Sequence, residues 1–447
     1  RFIKIDCFFV ILSYCTVFSV RKQRNTKHSL SFRFHFERDI KMINIAVAQS
    51  GGPTCAINAS LVGVFKESLK VSTIDAIFGS VNGIEGIIGN HLVDLKSMIL
   101  TNNDMELLRQ TPSTVLGSCR YKLPDWKENE EVYKKIVDTL KQRNIGAFFY
   151  IGGNDSMDTV NKLSEYFAHI SFDVKVIGIP KTIDNDLCIT DHTPGFGSAA
   201  KYVATTMHEI TRDSIVYSIP SVTIVEIMGR HAGWLTASSA VLHAMGETAP
   251  HLIYVPEMNF SLENFLSDVK QEMSKHKAVI VAVSEGIEVP EGVQSGVVDN
   301  FGHKYLSGIG KYLEEIVRNE IGCKVRSIEL NVMQRCSSHI SSKTDIDESF
   351  ASGKAAVENA IAGVTDKMVG FERSTDENGN YKCNIKLFDL TVVANTEKKV
   401  PLSWLNKTQD GLNDLYVDYA LPLIQGETEM VKEDGLPRFA NLKKVRV

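Results

Sequence analysis

The sequence predicts an α/β protein made of two doubly wound, mainly parallel sheets with helices on both faces. Three observations lead there. From Met42 onward, apolar strand-like runs alternate with helix-like runs, the order that parallel sheets require. The strands are apolar almost throughout, as in IGAFFYIGG and KAVIVAVSEG, which suits strands covered on both sides. Glycines and polar residues gather where those strands end, the edge at which such sheets bind ligands.

The elements follow in order. INIAVAQ reads as a first strand ending in SGGPT, and ASLVGVFKESLK has helical spacing. IDAIFG is a strand, and EEVYKKIVDTLKQ an amphipathic helix. IGAFFYIGG is a strand, followed by the helical SMDTVNKLSEYF. VKVIGIP, AAKYVATTMHEITRD, SVTIVEIMG, GWLTASSAVLHA, HLIYVP and LENFLSDVKQEMSKH continue the alternation. KAVIVAVSEG, YLSGIGKYLEEIVRNEIG and VRSIELNVMQR carry it on. STDENGNYKCNIKLFDLTVV then predicts a hairpin turning at Asn378-Gly379.

Composition narrows the function. The 447 residues are 43% hydrophobic and 23% charged, ordinary for a globular protein, and enough for two or three domain-sized units. A net charge of −5 with interspersed signs argues against a nucleic-acid or membrane surface. No run reaches the ~20 apolar residues of a membrane span. The eight cysteines lack C-x-x-C spacing and are expected to be reduced, in a cytoplasmic protein. Residues 1–41 lack the periodicity of the rest. They are expected to be translated upstream sequence or a disordered leader, with a signal segment as the competing reading.

Candidate chemistry sits at strand ends. SGGPT, containing Gly51 and Gly52, suits backbone N–H donation to an anion, or is simply a tight turn. GGNDS, with Gly153, Asn154 and Asp155, repeats the arrangement; there Asp155 or Ser156 could equally be an N-cap. PKTIDND places Lys181, Thr182, Ile183, Asp184 and Asp186 together. One carboxylate there can take a proton from a hydroxyl, a second can hold substrate or metal, and the lysine can offset phosphate charge. The competing reading is a polar loop whose Asp side chains bond local N–H groups. EIMGRHAG brings Met228, Gly229 and Arg230, with a Glu226–Arg230 ion pair as the plain alternative. Arg326 and Arg335 flank an apolar strand, and Arg120 is unremarkable by itself.

Taken together, GGP, GGNDS, PKTIDND, TPGFGSAA, EIMGR and MQR, in this order and spacing, resemble the phosphofructokinase family over roughly residues 42 to 400. Two positions resemble its diphosphate-using branch, because ATP users carry glycine where Asp155 and Lys181 stand. A carboxylate at 155 would repel the α-phosphate of ATP, and Lys181 would supply charge to the shorter diphosphate. The resemblance implies Mg2+-dependent, reversible phosphoryl transfer from diphosphate to the 1-hydroxyl of fructose 6-phosphate, a step of glycolysis. It implies Asp184 as general base, with Lys181, Thr182 and Arg230 beside it in catalysis. It also places Gly51, Gly52, Arg120, Gly153, Asp155 and Lys181 on diphosphate. Thr182, Ile183, Asp184, Asp186, Met228, Gly229, Arg230, Glu285, Arg326 and Arg335 fall on the sugar phosphate and the transferring group, with Arg326 reaching a neighbouring subunit. Mg2+ falls to Asn154, Asp155 and Asp186.

The family often has Asp at position 154, a better magnesium ligand than Asn, and His or Tyr where Val332 stands. Ser221 stands where ATP users place an arginine. The resemblance further implies a diphosphate lobe of residues 42–195 plus about 333–400, a sugar-phosphate lobe of 196–332 and a C-terminal extension of 401–447. Arginine sharing implies a homodimer or homotetramer. An ATP-dependent enzyme of the same fold and a non-catalytic regulatory subunit are the rivals within the family. A dinucleotide-binding dehydrogenase would need G-x-G-x-x-G, which neither GGPTCA nor GGNDSM supplies.

Overall fold

A computed structural model describes residues 43–289, 308–393, 396–404, 407–408, 411–412 and 414–447. The expectation for residues 1–41 lies outside them. The strands are β1 (Ile43–Gln49), β2 (Ile74–Ser80), β3 (Leu92–Asp94), β4 (Ile145–Gly152), β5 (Lys175–Pro180) and β6 (Ser221–Ile227). β7 (Leu252–Tyr254), β8 (Ala278–Ser284), β9 (Lys324–Glu329), β10 (Lys367–Thr375) and β11 (Tyr381–Asp389) follow.

Seven strands form one sheet in the order β11-β10-β5-β4-β1-β2-β3, and four form another in the order β7-β8-β6-β9. In the larger sheet β2, β1, β4, β5 and β10 run parallel, with antiparallel β3 and β11 at the edges. The smaller sheet is wholly parallel. From β1 the chain goes one way to β2 and the other way to β4. Their ends therefore flank the crevice where doubly wound sheets bind ligands.

Alternation along the strands explains why the sheets are covered on both faces. Phe148 and Tyr150 of β4 enter one core, with helices Glu130–Gln142 and Asn154–His169. Phe149 and Ile151 enter the other, with helices Ile57–Ser68 and Lys343–Ile361. In the smaller sheet, Ile280 and Ala282 face helix Phe196–Ser214, whereas Val279, Val281 and Val283 face helices Leu262–Met273 and Ile309–Glu320. Tyr416, Tyr419 and Leu423 from the C-terminal region are buried in the former core. Among the described residues, no helix is long and apolar enough to cross a membrane. All six described cysteines are free.

Some elements differ from the sequence reading. GWLTASSAVLHA gives only a short α-turn, Trp234–Ala237, before a 3-10 stretch, Ser238–Met245. β9 is an edge strand only partly buried; Arg326 lies within it, and Arg335 lies in a helical turn, Met333–Cys336, beyond it. The 376–380 turn is organised by Asp376, whose carboxylate accepts from the backbone N–H of Asn378 and Asn380. Only Gly379 there has positive φ, at 81°.

The helix Lys343–Ile361 was not foreseen. It packs on helix Ile57–Ser68 so closely that a Cβ at Gly353 would lie 2.0 Å from the Ser60 carbonyl oxygen. One at Gly63 would lie 2.1 Å from that of Phe350. Small residues on both helices allow this approach and also blunt the amphipathic pattern that sequence reading relies on.

Candidate active site

The turn after β1 lies at the centre. Gly51 has φ 75°, which glycine adopts without a Cβ penalty. The Lys181 ammonium reaches back across the turn and donates to the Gly52 carbonyl at 2.7 Å. It stands 3.1 Å from where a Cβ on Gly51 would sit, and Arg335 Nη1 stands 3.3 Å from the same point on Gly52. Two cations from different parts of the chain thus meet one glycine turn. Ser118 Oγ donates to the Gly51 carbonyl at 2.7 Å, and Gly51 N–H to the Cys119 carbonyl at 3.5 Å. That places the exposed Arg120 beside the turn.

The end of β4 supplies a helix N-terminus. Helix Asn154–His169 begins at Asn154 with Gly153 in the N-cap position and no side-chain cap. Neither Asp155 nor Ser156 plays the capping role considered above. No side chain therefore competes with an anion for the first N–H groups of this helix, which begins directly where β4 ends.

The segment after β5 is a loop folded on itself. Lys181 N–H donates to the Gly152 carbonyl, and Thr182 N–H to that of Pro194. Thr193 Oγ1 donates to the Thr182 carbonyl at 2.8 Å. The Thr182 hydroxyl takes the Asp184 N–H at 3.1 Å, and the Asp186 carboxylate takes a local backbone N–H, as the polar-loop reading expected. Among the described residues no hydrogen-bond donor is spent on the Asp184 carboxylate, so it is open to a substrate hydroxyl. Ile183 is different: its side chain packs in the core around helix Phe196–Ser214, leaving only its backbone to meet a ligand.

The smaller sheet completes the cluster. Met228 N–H donates to Oε1 of the buried Gln334 at 3.1 Å. Ser284 Oγ donates to the Gly229 carbonyl at 2.6 Å, and Gly229 N–H to Glu285 Oε1 at 3.3 Å. The ends of β6 and β8 are thereby locked together. Glu226 forms no ion pair with Arg230; its carboxylate accepts the Gly310 N–H at 2.8 Å.

Electrostatics ties the two sheets into one site. Burial, reinforced by the Asp184 carboxylate, pushes Asp186 up to about 7, and Arg230 pulls it back. Burial likewise lifts Glu285 to about 7, with Asp184 raising it and Arg230 lowering it. Burial brings the Lys181 ammonium down to about 8; Asp184 opposes the fall and Arg335 adds to it. Perturbed acids and bases gathered in one crevice are a signature of function.

The same corner fits a divalent cation. Asn154 Nδ2 donates to Asp186 Oδ2 at 3.1 Å, while its buried Oδ1 has no partner. An orphaned amide oxygen beside under-neutralised carboxylates offers the oxygen donors that Mg2+ takes. Asp155 lies one residue on, at the helix start.

Arg326 is not brought to this cluster. It is exposed on β9, pairs with Asp213 at 3.3 Å, and lines a small crevice with Ser221, Tyr217 and Lys324. Val332 is exposed. Sequence reading missed Gln334, which sits inside the quoted MQR but offers no charge to draw notice. It gave no role to Asn185, inside PKTIDND, and missed Lys398 and Tyr419, which pack against that loop.

Similarity to known proteins identifies the family. The family model described as Phosphofructokinase matches residues 44–360. The pyrophosphate–fructose 6-phosphate 1-phosphotransferase of Halomonas elongata is 36% identical over 410 residues, covering 90% of this chain and 97% of that protein. Its counterpart from Xanthomonas campestris is 38% identical over 413 residues, covering 90% and 97%. The crystal structure of a pyrophosphate-dependent phosphofructokinase from Marinobacter aquaeolei superimposes with a TM-score of 0.80 at 36% identity, covering 91% of this chain and 97% of that one. The chain belongs to the phosphofructokinase family.

Proposed function

We propose that this chain transfers a phosphoryl group reversibly between diphosphate and the 1-hydroxyl of fructose 6-phosphate, yielding fructose 1,6-bisphosphate and phosphate. The observation that carries the choice of donor is the buried Lys181 ammonium lying across the Gly51–Gly52 turn. A cation there neutralises a short diphosphate at the place where ATP users keep a glycine. Asp155, at the helix start, adds a negative charge that disfavours a third phosphate.

In the forward direction Asp184 accepts the proton of the C1 hydroxyl as that oxygen attacks the terminal phosphorus. The bond to the bridging oxygen breaks, and phosphate leaves. Little covalent work falls to the protein, so alignment and charge stabilisation dominate. Lys181 and Arg230 hold the developing charge, Thr182 steadies the Asp184 backbone, and Glu285 takes sugar hydroxyls. Arg335 lies nearer the glycine turn than a grip on the 6-phosphate alone implies, so it borders both substrates. Asp186 and Asn154, with Asp155, are the residues to hold Mg2+, which when bound screens the oxygens of the diphosphate.

The larger sheet serves as the diphosphate lobe (42–195 plus about 333–400) and the smaller as the sugar-phosphate lobe (196–332). Arg326, exposed and far along its strand from the cluster, supports a homodimer or homotetramer in which it serves a neighbour. Free cysteines support a cytoplasmic setting.

The test is an assay of purified protein with fructose 6-phosphate, Mg2+ and each donor separately. Turnover with diphosphate and none with ATP is expected. Turnover with ATP alone overturns the choice of donor, and turnover with neither revives a regulatory role.

A further inference from the structure

Between the two acids of the site lies Asn185, a residue to which no chemistry has been assigned. Its side chain is fully buried and its φ is 55°, in the left-handed region. A non-glycine residue held there needs support from its surroundings. That support is specific. Asn185 Nδ2 donates to the Tyr419 hydroxyl at 2.7 Å, and its Oδ1 accepts from the Lys398 ammonium at 3.2 Å. Tyr419 Oη in turn donates to the Asp191 carbonyl at 2.7 Å. One hydroxyl is thus used in both directions on the same loop.

Lys398 holds the loop twice over. Its ammonium also donates to the carbonyls of Asp191, at 2.7 Å, and Thr190, at 3.2 Å. Its backbone N–H donates to the Asp186 carbonyl at 2.7 Å, and its neighbour Glu397 bridges Leu187. Lys398 is itself fixed to the smaller-sheet side, since Trp234 Nε1 donates to its carbonyl at 2.8 Å. Tyr419 is fixed through its carbonyl, which accepts from Arg373 at 2.9 Å, and through its ring, packed on Trp234 and Trp404. None of these groups is placed to touch substrate in the reading above.

We infer that Tyr419 and Lys398 are positioning residues for phosphoryl transfer. Through the Asn185 side chain they hold the turn that aims Asp184 and Asp186. The C-terminal region is then part of the catalytic architecture and not an appendage. This rests on the assignment of Asp184 as general base, so that assignment is tested alongside.

The experiment compares four full-length variants with the parent: Tyr419→Phe, Asn185→Ala, their combination, and Lys398→Met, with Asp184→Asn as reference. The readouts are kcat, KM for diphosphate and for fructose 6-phosphate, and the thermal midpoint. Tyr419→Phe keeps the ring and removes only the hydroxyl. It is expected to lower kcat about 10- to 100-fold, the cost of misplacing a reacting group by a fraction of an ångström to an ångström. Both KM values should stay within about threefold, because binding groups are untouched. Lys398→Met should show the same split. The double variant should lose less than the product of the two single losses, since the two residues share one hydrogen bond.

Parent-like kcat in Tyr419→Phe and Lys398→Met overturns the inference. So do losses of Tyr419→Phe and Asn185→Ala that multiply. A lowered thermal midpoint with kcat unchanged below it identifies a merely structural role and also overturns it. Full activity in Asp184→Asn instead refutes the assignment of the base, a separately visible result.

Discussion

Replacing Lys181 with methionine should stabilise the fold and disable the enzyme; the first magnitude follows from the structure and the second from Coulomb's law at contact distance. The ammonium is 2% exposed, and burial lowers its pKa from 10.5 to about 8. That fall corresponds to about 3 kcal/mol lost by keeping the charge at neutral pH. Methionine of similar volume removes the loss but leaves the Gly52 carbonyl without its donor, which costs about 1–2 kcal/mol. A net gain of about 1–2 kcal/mol is expected at pH 7. Activity moves the other way. A unit charge about 4 Å from a phosphate oxygen contributes about 4 kcal/mol at an effective dielectric near 20. kcat/KM for diphosphate should therefore fall by about two to three orders of magnitude.

The pH dependence gives an internal check. Between about pH 8 and 10.5 the unfolded parent holds more protons at this lysine than the folded one does. The parent thus gains stability as pH rises through that window, and the methionine variant does not. The variant's advantage should be complete below pH 8, vanish within the window and be reversed by pH 10.5, where only the lost bond to the Gly52 carbonyl separates the two. Denaturant unfolding at pH 7, 8.5 and 10 measures it, with steady-state kinetics in parallel. A variant less stable than the parent at pH 7, or one within tenfold of its kcat/KM, would refute the reasoning.

Asp184→Ser should reduce turnover by about 10²–10⁴, the usual contribution of a positioned base; near-parent kcat removes it from that role. Asp155→Gly combined with Lys181→Gly should raise KM for diphosphate and admit ATP, measured by donor competition, and unchanged diphosphate kinetics would count against both residues. Gly353→Ala should destabilise the fold by about 3 kcal/mol, since its methyl would press on the Ser60 backbone; an unshifted urea midpoint would show that the helix pair can separate without cost.

The strand order of apolar runs and the motifs at their ends made the α/β class and the family legible. Both are local: a strand's burial is written in its own residues, and SGGPT, GGNDS and PKTIDND each carry their chemistry within a few positions. The helix Lys343–Ile361 escaped because its contact face is made of small residues chosen for a neighbour nearly 300 positions away. The resemblance put Ile183 on the substrate, and only the fold shows that its side chain lies in the core, so that its backbone is what can meet a ligand. Arg335 and Lys181 are over 150 positions apart, and only folding puts both on one glycine turn.

The same limit applies most strongly to Lys398 and Tyr419. In sequence they are one lysine in EKKV and one tyrosine in VDYA, indistinguishable from surface or core residues of those types. The amino-acid order alone determined which groups are available for chemistry. The tertiary structure alone decided which of them are buried together, and hence whose pKa moves and whose backbone is held. Desolvation and hydrogen-bond geometry depend on what surrounds a group in space, and distant segments of the chain supply those surroundings.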